Sequence, residues 1–246
     1  MPVSDSTPVL TARDLVAGYL PGINILNGMS VDVMRGEVRC VLGPNGTGKS
    51  TLLKVLFGFL PAQRGDMQLG DVSLHGIASH RMGQHGITYL PQRPSVFPFL
   101  SVEVNLRLGT WSFRGDRSLA RARIERAYAQ FPILAERRRQ AAGTLSGGQQ
   151  RQLEIARALM TDPTVMLIDE PTASIEPRIA AQIYALIAGL ARDGKAILLV
   201  DQNIKGALGI ADYVYVMRTG TLFDQGPRDD FTDDVETLVS RWLYTT

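Results

Sequence analysis

The stretch VRCVLGPNGTGKSTLL, residues 38–53, decides the fold. Its first five residues form a short β-branched apolar run, the signature of a buried strand. Gly43-Pro44-Asn45-Gly46-Thr47-Gly48 follows, and then the helically spaced apolar run STLLKVLFGFL (50–60). The order is strand, loop, helix. Gly43 to Ser50 fits G-x-x-x-x-G-K-[ST] in full. Small residues let bare backbone amides converge on an anion, and they allow unusual backbone angles. The helix that follows adds roughly half a positive charge at its N-terminus. Lys49 supplies a cation for β- and γ-phosphates, and the Ser50 hydroxyl suits Mg2+. This motif points to a nucleotide and magnesium. It leaves kinases, GTPases and transport ATPases all open.

Outward from this stretch, strand and helix signals alternate. TVMLIDE (164–170) and KAILLVDQ (195–202) are continuous apolar runs ended by acidic or polar residues, as buried parallel strands are. Between them IAAQIYALIAGLARDG (179–194) reads as an amphipathic helix with a glycine stop. Upstream, residues 9–34 alternate short apolar runs with turns, and VDV (31–33) alternates like a strand. GDMQLGDVSLHG (65–76) reads as a hairpin turning near Gly70-Asp71, and GITYLPQ (86–92) as a strand running into a loop. Residues 101–160 read as mostly helical, with Ser101 as a cap, Glu103 in the first turn, and Ile124, Tyr128 and Phe131 on one face. The pattern predicts an α/β chain with a parallel core sheet and a helical insertion. The expected division is a core of 9–92 and 161–246, a helical subdomain of 93–160, and a loose terminus of 1–8.

Composition bounds the rest. The chain has 246 residues, 45% apolar and 20% charged, which suits one globular domain with an insertion. A net charge of +2 gives no overall attraction to nucleic acid or anionic lipid. One cysteine, Cys40, excludes an internal disulfide and fits a reducing cytosol. No apolar stretch approaches the ~18–20 residues that cross a bilayer. The first eight residues lack the order of a signal peptide. A membrane role is therefore expected to come through a partner.

A second motif narrows the choice. LSGGQQRQLEIARALM (145–160) offers Ser146 as an N-cap and leaves the amides of Gly147 and Gly148 for another anion. Leu153, Ala156 and Met160 then form an apolar stripe. With this motif the chain resembles the ATP-binding subunit of an ABC transporter. The first loop is similar to that family's Walker A, LSGGQ to its signature, and VMLIDE (165–170) to Walker B with the catalytic glutamate. The resemblance runs from about residue 9 to 242, with the motifs in the family's order.

The resemblance implies a P-loop core with a parallel sheet, an N-terminal antiparallel β subdomain and an inserted α-helical subdomain. It implies ATP hydrolysis with ATP and Mg2+. The implied nucleotide contacts are Tyr19, the A-loop aromatic in VAGY; Gly43, Pro44, Asn45, Gly46, Thr47, Gly48, Lys49, Ser50 and Thr51; and Gln92, the Q-loop glutamine in YLPQ. Ser146, Gly147, Gly148 and Gln149 are implied to act in trans, on the ATP of a second subunit. Ser50, Gln92 and Asp169 are the implied Mg2+ set, and Glu170 the implied general base.

Two positions depart from the family. In VDQN (200–203), Gln202 holds the place of the usual switch histidine. Glutamine cannot shuttle protons near neutral pH, but its amide can donate to a γ-phosphate. In ASIEP (173–177), Glu176 replaces the usual D-loop aspartate, which puts the usual contact across the dimer in doubt.

LLVDQN, FPILAER and VFPFLSVEVNL (96–106) further resemble ATPases of branched-chain amino acid and urea importers. That resemblance implies permease partners docking near 93–106. It also implies a homo- or hetero-dimer with a second ABC ATPase, an indirect link to a periplasmic or extracellular solute-binding protein, and a peripheral place on the cytoplasmic face of the inner membrane. An exporter ATPase and a soluble, non-transport ABC ATPase stay open as alternatives. The arginines between 107 and 139, including ERRR (136–139), read first as solvated helix faces with interspersed acids. Contact with lipid headgroups or a membrane partner is the sharper reading. No nucleic-acid partner is expected, because no aromatic platform accompanies them.

Overall fold

In a computed structural model of the chain, residues 7–231, 237 and 240 are described. Most of the expected loose terminus at 1–8, and the far C-terminal end of the expected core, lie outside the described residues. The strands are β1 (Leu10–Ala17), β2 (Leu26–Val33), β3 (Val38–Leu42), β4 (Arg64–Leu69), β5 (Val72–Ser73), β6 (Ile87–Leu90), β7 (Val165–Asp169), β8 (Ala196–Val200), β9 (Tyr213–Arg218) and β10 (Thr221–Pro227). The α-helices are α1 (Lys49–Leu56), α2 (Ser79–Met82), α3 (Val102–Gly109), α4 (Arg117–Gln130), α5 (Pro132–Glu136), α6 (Gly147–Ala158), α7 (Pro177–Arg192) and α8 (Ile204–Leu208).

Two sheets form. The larger runs β10-β9-β3-β8-β7-β6 and is parallel except for β10 on β9. The smaller runs β2-β1-β4-β5 and is antiparallel. The Gly70-Asp71 turn joins β4 to β5, as the hairpin signal predicts.

The continuous apolar runs are explained by burial on both faces of the larger sheet. Along β7, Met166 and Ile168 pack into one core cluster while Val165 and Leu167 pack into the other. Along β8, Ile197 and Leu199 face the first cluster, and Ala196, Leu198 and Val200 the second. Each such side chain contributes about 1.5–3 kcal/mol by leaving water. Helix α7 covers the first cluster with Ala180, Ile183, Tyr184, Ile187 and Leu190, a stripe at helical spacing. Arg39 sits inside the central strand because Tyr215 accepts its guanidinium at 2.9 Å, Glu37 pairs with it at 3.0 Å and the Tyr213 ring lies under it.

One expectation is corrected. The run 50–60 reads as a single helix, yet α1 ends at Leu56. Gly58 takes φ +74°, and a Cβ there would lie 2.6 Å from the Ile77 carbonyl oxygen, so the chain must leave the helix to pass that strand connection. The region 101–160 is helical with breaks: Ser101 caps α3 by accepting from the Val104 amide at 3.2 Å, and Phe131 ends α4 instead of continuing its face.

Candidate functional site

The phosphate loop leaves β3 at Gly43. Its φ is +146°, and a Cβ would stand 2.2 Å from the Met217 carbonyl oxygen, so glycine alone lets the loop pass β9. Gly48, at φ +102°, occupies the N-cap position of α1 and makes no side-chain cap. The first amides of that helix therefore keep their positive end turned toward the loop. Lys49, buried, donates to the Gly43 and Pro44 carbonyls at 2.8 Å each, which lays its ammonium along the inside of the loop. Burial lowers the Lys49 pKa, and the nearby Glu170, Asp169 and Asp201 carboxylates pull it back up.

Behind the loop, the ends of β7 and β8 deliver the acids. Ser50 donates to one Asp169 oxygen at 2.9 Å, and Tyr89 donates to the other at 3.0 Å. Glu170 follows with φ +43°, a left-handed backbone that costs a non-glycine residue about 1–3 kcal/mol. Its amide donates to the Val200 carbonyl at 2.8 Å, which holds that conformation against β8. The Glu170 carboxylate accepts from Gln202 Nε2 at 2.7 Å on one oxygen and from Gln92 Nε2 on the other. The structure thus brings Lys49, Ser50, Gln92, Asp169, Glu170 and Gln202 to one place, although they come from the start of α1, the loop after β6 and the ends of β7 and β8.

The donor set is all oxygen: the Ser50 hydroxyl, the Asp169 carboxylate and the Gln92 amide. Those are hard ligands that suit Mg2+ sharing its remaining positions with phosphate and water. Among the described residues no group of three or more His, Cys, Asp or Glu side chains forms a metal cage.

Tyr19 stands beside α1, 55% exposed, tied by its hydroxyl to Thr51 at 3.4 Å and to Lys54 at 3.2 Å. Burial alone would raise its pKa; the bonds with Thr51 and Lys54 outweigh that and lower it. The Lys54 ammonium also lies over its ring, 5.5 Å from the centroid, beside the start of α1.

The signature turn borders a cavity of about 410 Å³ that Gly147 lines together with Gln92 and Arg151. Ser146 caps α6 in a reciprocal capping box with Gln149. Gly147 opens onto space, whereas a Cβ on Gly148 would meet Ile179 Cγ2 at 2.2 Å. Among the described residues, no hydrogen bond joins this turn to the phosphate loop. Glu176 sits at the N-cap of α7, exposed and with no capping bond from its side chain.

Several residues escaped the sequence reading. Tyr184 of α7 donates to Asp201 at 2.8 Å and bonds Thr172 at 2.9 Å, so one buried hydroxyl ties the turn after β7 to the turn after β8. Burial raises the Asp201 pKa, and bonds from the Asn203 amide and Tyr184 oppose this. Gly206 is needed because a Cβ would strike the Tyr184 ring at 2.3 Å. Arg151, on α6, donates to the Pro91 and Gln92 carbonyls at 2.8 Å each and pairs with buried Glu154 at 2.9 Å. It fastens the signature helix to the segment that carries Gln92. For Tyr184 the only sequence sign is a polar tip inside an apolar stripe, and Arg151 has none.

Comparison with known proteins agrees with this geometry. The ABC transporter family profile matches residues 26–173. The chain is 39% identical to the high-affinity branched-chain amino acid transport ATP-binding protein BraG of Pseudomonas aeruginosa, over 85% of this chain and 89% of that one. It is 34% identical to the lipopolysaccharide export system ATP-binding protein LptB of Escherichia coli, over 92% of this chain and 93% of that one. A crystal structure of the ADP conformation of an ATP-binding cassette from an ABC transporter superposes with a TM-score of 0.82 at 28% identity, covering 96% of each chain. The family match over residues 26–173 and the identity to BraG along most of both chains, with the motifs in the order phosphate loop, LSGGQ turn and strand-end acid pair, place the chain in the ABC transporter family, as an ATP-binding and ATP-hydrolysing subunit.

Proposed function

We propose that the chain powers import of a small polar solute, branched-chain amino acids or related amides and urea, as a peripheral subunit on the cytoplasmic face of the inner membrane. The observation that supports transport is the similarity to transport ATP-binding proteins along most of both chains; the absence, among the described residues, of a hydrogen bond between the signature turn and the phosphate loop supports a site shared by two subunits. The Walker loop is backed by its acids, while the signature turn presents open amides with no phosphate machinery of its own. Two copies, or this chain and a second ABC ATPase, would complete each other. Ser146, Gly147, Gly148 and Gln149 of one subunit then face the nucleotide on Tyr19, the phosphate loop and Gln92 of the other.

Within this reading each residue has a task. The loop amides and Lys49 hold the phosphates, and Thr51 anchors Tyr19 beside the base. Mg2+, when bound, neutralises phosphate charge, and Ser50, Gln92 and Asp169 are the side chains that would hold it. Glu170 takes the proton of the attacking water. Gln202 orients Glu170 by donating to it, and Gln92 shares that carboxylate. Because neither amide titrates, Glu170 alone takes the proton.

The way out to a membrane partner runs through Arg151. Any shift of α6 pulls on the Pro91 and Gln92 carbonyls and so on the Glu170 partner. The segment between Gln92 and α3 exposes Phe97 at 48% and Phe99 at 95%, an apolar surface suited to a permease loop. Residues 93–160 would move as the inserted unit that carries this surface. No helix among the described residues is long and apolar enough to cross a membrane, so the path for solute would belong to the permease. Similarity to BraG favours import; similarity to LptB supports export as the second reading.

The test is a pull-down of the subunit from mild-detergent extracts of its native membranes. Recovery of polytopic permease subunits, with or without a second ATPase, is expected, and their identity separates import from export. Recovery of soluble proteins, ribosomes or DNA alone would reject transport.

A further inference from the structure

Away from the nucleotide, α3 and α4 enclose a cleft of about 670 Å³. Arg107, Arg114, Arg117, Arg121 and Arg138 line it, against only two acids, Glu103 and Glu125. That leaves three net positive charges in one concavity, in a chain whose total is +2. The charge is therefore local, and invisible in the overall balance.

The arrangement works against the fold. Arg117 and Arg121 stand one turn apart on α4, where like charges repel by a few tenths of a kcal/mol. Helix α4 fully buries only Ala127 and packs Ile124 and Tyr128 partly against the core, so the arginine pair gains nothing from burial. Glu103 neutralises Arg107 at 3.4 Å, but no ion pair forms to Arg114, Arg117, Arg121 or Arg138 among the described residues. Inside the cleft the Tyr128 hydroxyl is buried and makes no hydrogen bond among the described residues, an expense a bound acceptor would remove. At the rim, Trp111 is 63% exposed, and the Arg114 guanidinium stacks on its ring at 4.8 Å.

We propose that this cleft binds the phosphodiester headgroup of an anionic phospholipid. All five cations are arginines, whose planar forks match phosphate oxygens. Tyr128 adds a neutral donor at the floor. An exposed tryptophan at the mouth suits the boundary between headgroups and acyl chains. Trp111 and Leu108 also line the neighbouring groove between β6 and α6, so the cleft opens beside the exposed Phe97 surface. The proposal rests on the transporter reading only for bringing the subunit to a membrane. Lipid would then hold the subunit's helical side to the bilayer independently of the permease.

The test uses the full chain with Trp242→Phe, so that Trp111 is the single tryptophan. Binding is followed by its fluorescence and by co-sedimentation with vesicles of phosphatidylcholine, alone or with phosphatidylglycerol. The expected result is binding and a blue shift with phosphatidylglycerol only. Arg117→Ala with Arg121→Ala should weaken that binding roughly 30-fold, at about a fivefold loss per cation. Arg64→Ala with Arg81→Ala, two exposed arginines elsewhere, should leave it unchanged. ATPase activity should persist in both double variants, which shows that they fold. Equal losses in the two double variants would overturn the proposal, as would binding that needs permease-containing membranes. A Trp111 response to inorganic phosphate at millimolar concentration, with no response to vesicles, would assign the cleft to a free phosphate and overturn the lipid. Each of these outcomes is independent of whether a permease is recovered in the pull-down.

Discussion

Removing one oxygen atom from Tyr184 should loosen both turns that carry the catalytic machinery. Tyr184→Phe keeps the ring and its packing against Gly206 but deletes the donor to Asp201 at 2.8 Å and the bond to Thr172 at 2.9 Å. All three side chains are buried, with Tyr184 5%, Asp201 2% and Thr172 7% exposed, so solvent screening does not dilute the effect. A hydrogen bond to a charged partner is worth about 1.5–3 kcal/mol, and a chain of this length loses about 2–4 °C of Tm per kcal/mol. The expected fall is about 3–12 °C near neutral pH. It should also depend on pH. Burial already raises the Asp201 pKa, so the ionised acid is disfavoured in the folded state. A raised pKa means that this group's stability is fully present below the unfolded value and lost as pH rises through the folded one. Losing the Tyr184 donor raises that pKa further. The gap between wild type and variant should therefore be widest near neutral pH and narrow as pH falls toward the ordinary aspartate value. Melting curves at several pH values, repeated in an Asp201→Asn background, measure this. In that background the charge is gone and the cost should shrink by at least about 1 kcal/mol. A Tm change under about 1 °C, or an equal loss in the Asp201→Asn background, would refute the coupling through Tyr184.

The other predictions concern the loop, the switch and the signature. Lys49→Ala deletes the ammonium laid along the phosphate loop, and calorimetry should show ATP binding weakened about 10- to 150-fold. Gln202→Ala removes a single 2.7 Å bond to Glu170, so turnover should slow about tenfold, far less than the roughly 10²–10⁴-fold expected when a general base is lost in Glu170→Gln; an equal loss in steady-state assays would overturn that ranking. Gly148→Ala forces a Cβ to within 2.2 Å of Ile179 and should lower Tm by the equivalent of about 1–3 kcal/mol, whereas Gly147→Ala, which opens onto space, should not lower it.

What the sequence discloses depends on how far each feature reaches along the chain. Strands β7 and β8 were legible because burial on both faces writes an unbroken apolar run, and β3 because its apolar run, broken only by Arg39, leads straight into the glycine-rich loop. The phosphate loop was legible because all its parts are adjacent, and Ser146 because its capping partner is three residues away. Tyr184 was not. A tyrosine inside the stripe Ala180, Ile183, Tyr184, Ile187 looks like core, and its target, Asp201, is chosen by how α7 packs on the sheet. Arg151 carries no local mark of its role, because its burial against Pro91 and Gln92 is a tertiary matter. The early end of α1 was hidden for a similar reason, since Gly58 yields to a carbonyl that is distant in sequence. The arginines of α3 and α4 were visible one by one, but the cleft that gathers them was not.

Everything proposed for the nucleotide turns on Glu170 cleaving an ATP held between two subunits. Light scattering of purified Glu170→Gln, with and without ATP and Mg2+, combined with its phosphate release, tests this without intermediaries. The expected result is an ATP-dependent dimer that persists because turnover is lost. Release of phosphate at the wild-type rate, or a variant that binds ATP and stays monomeric, would contradict it.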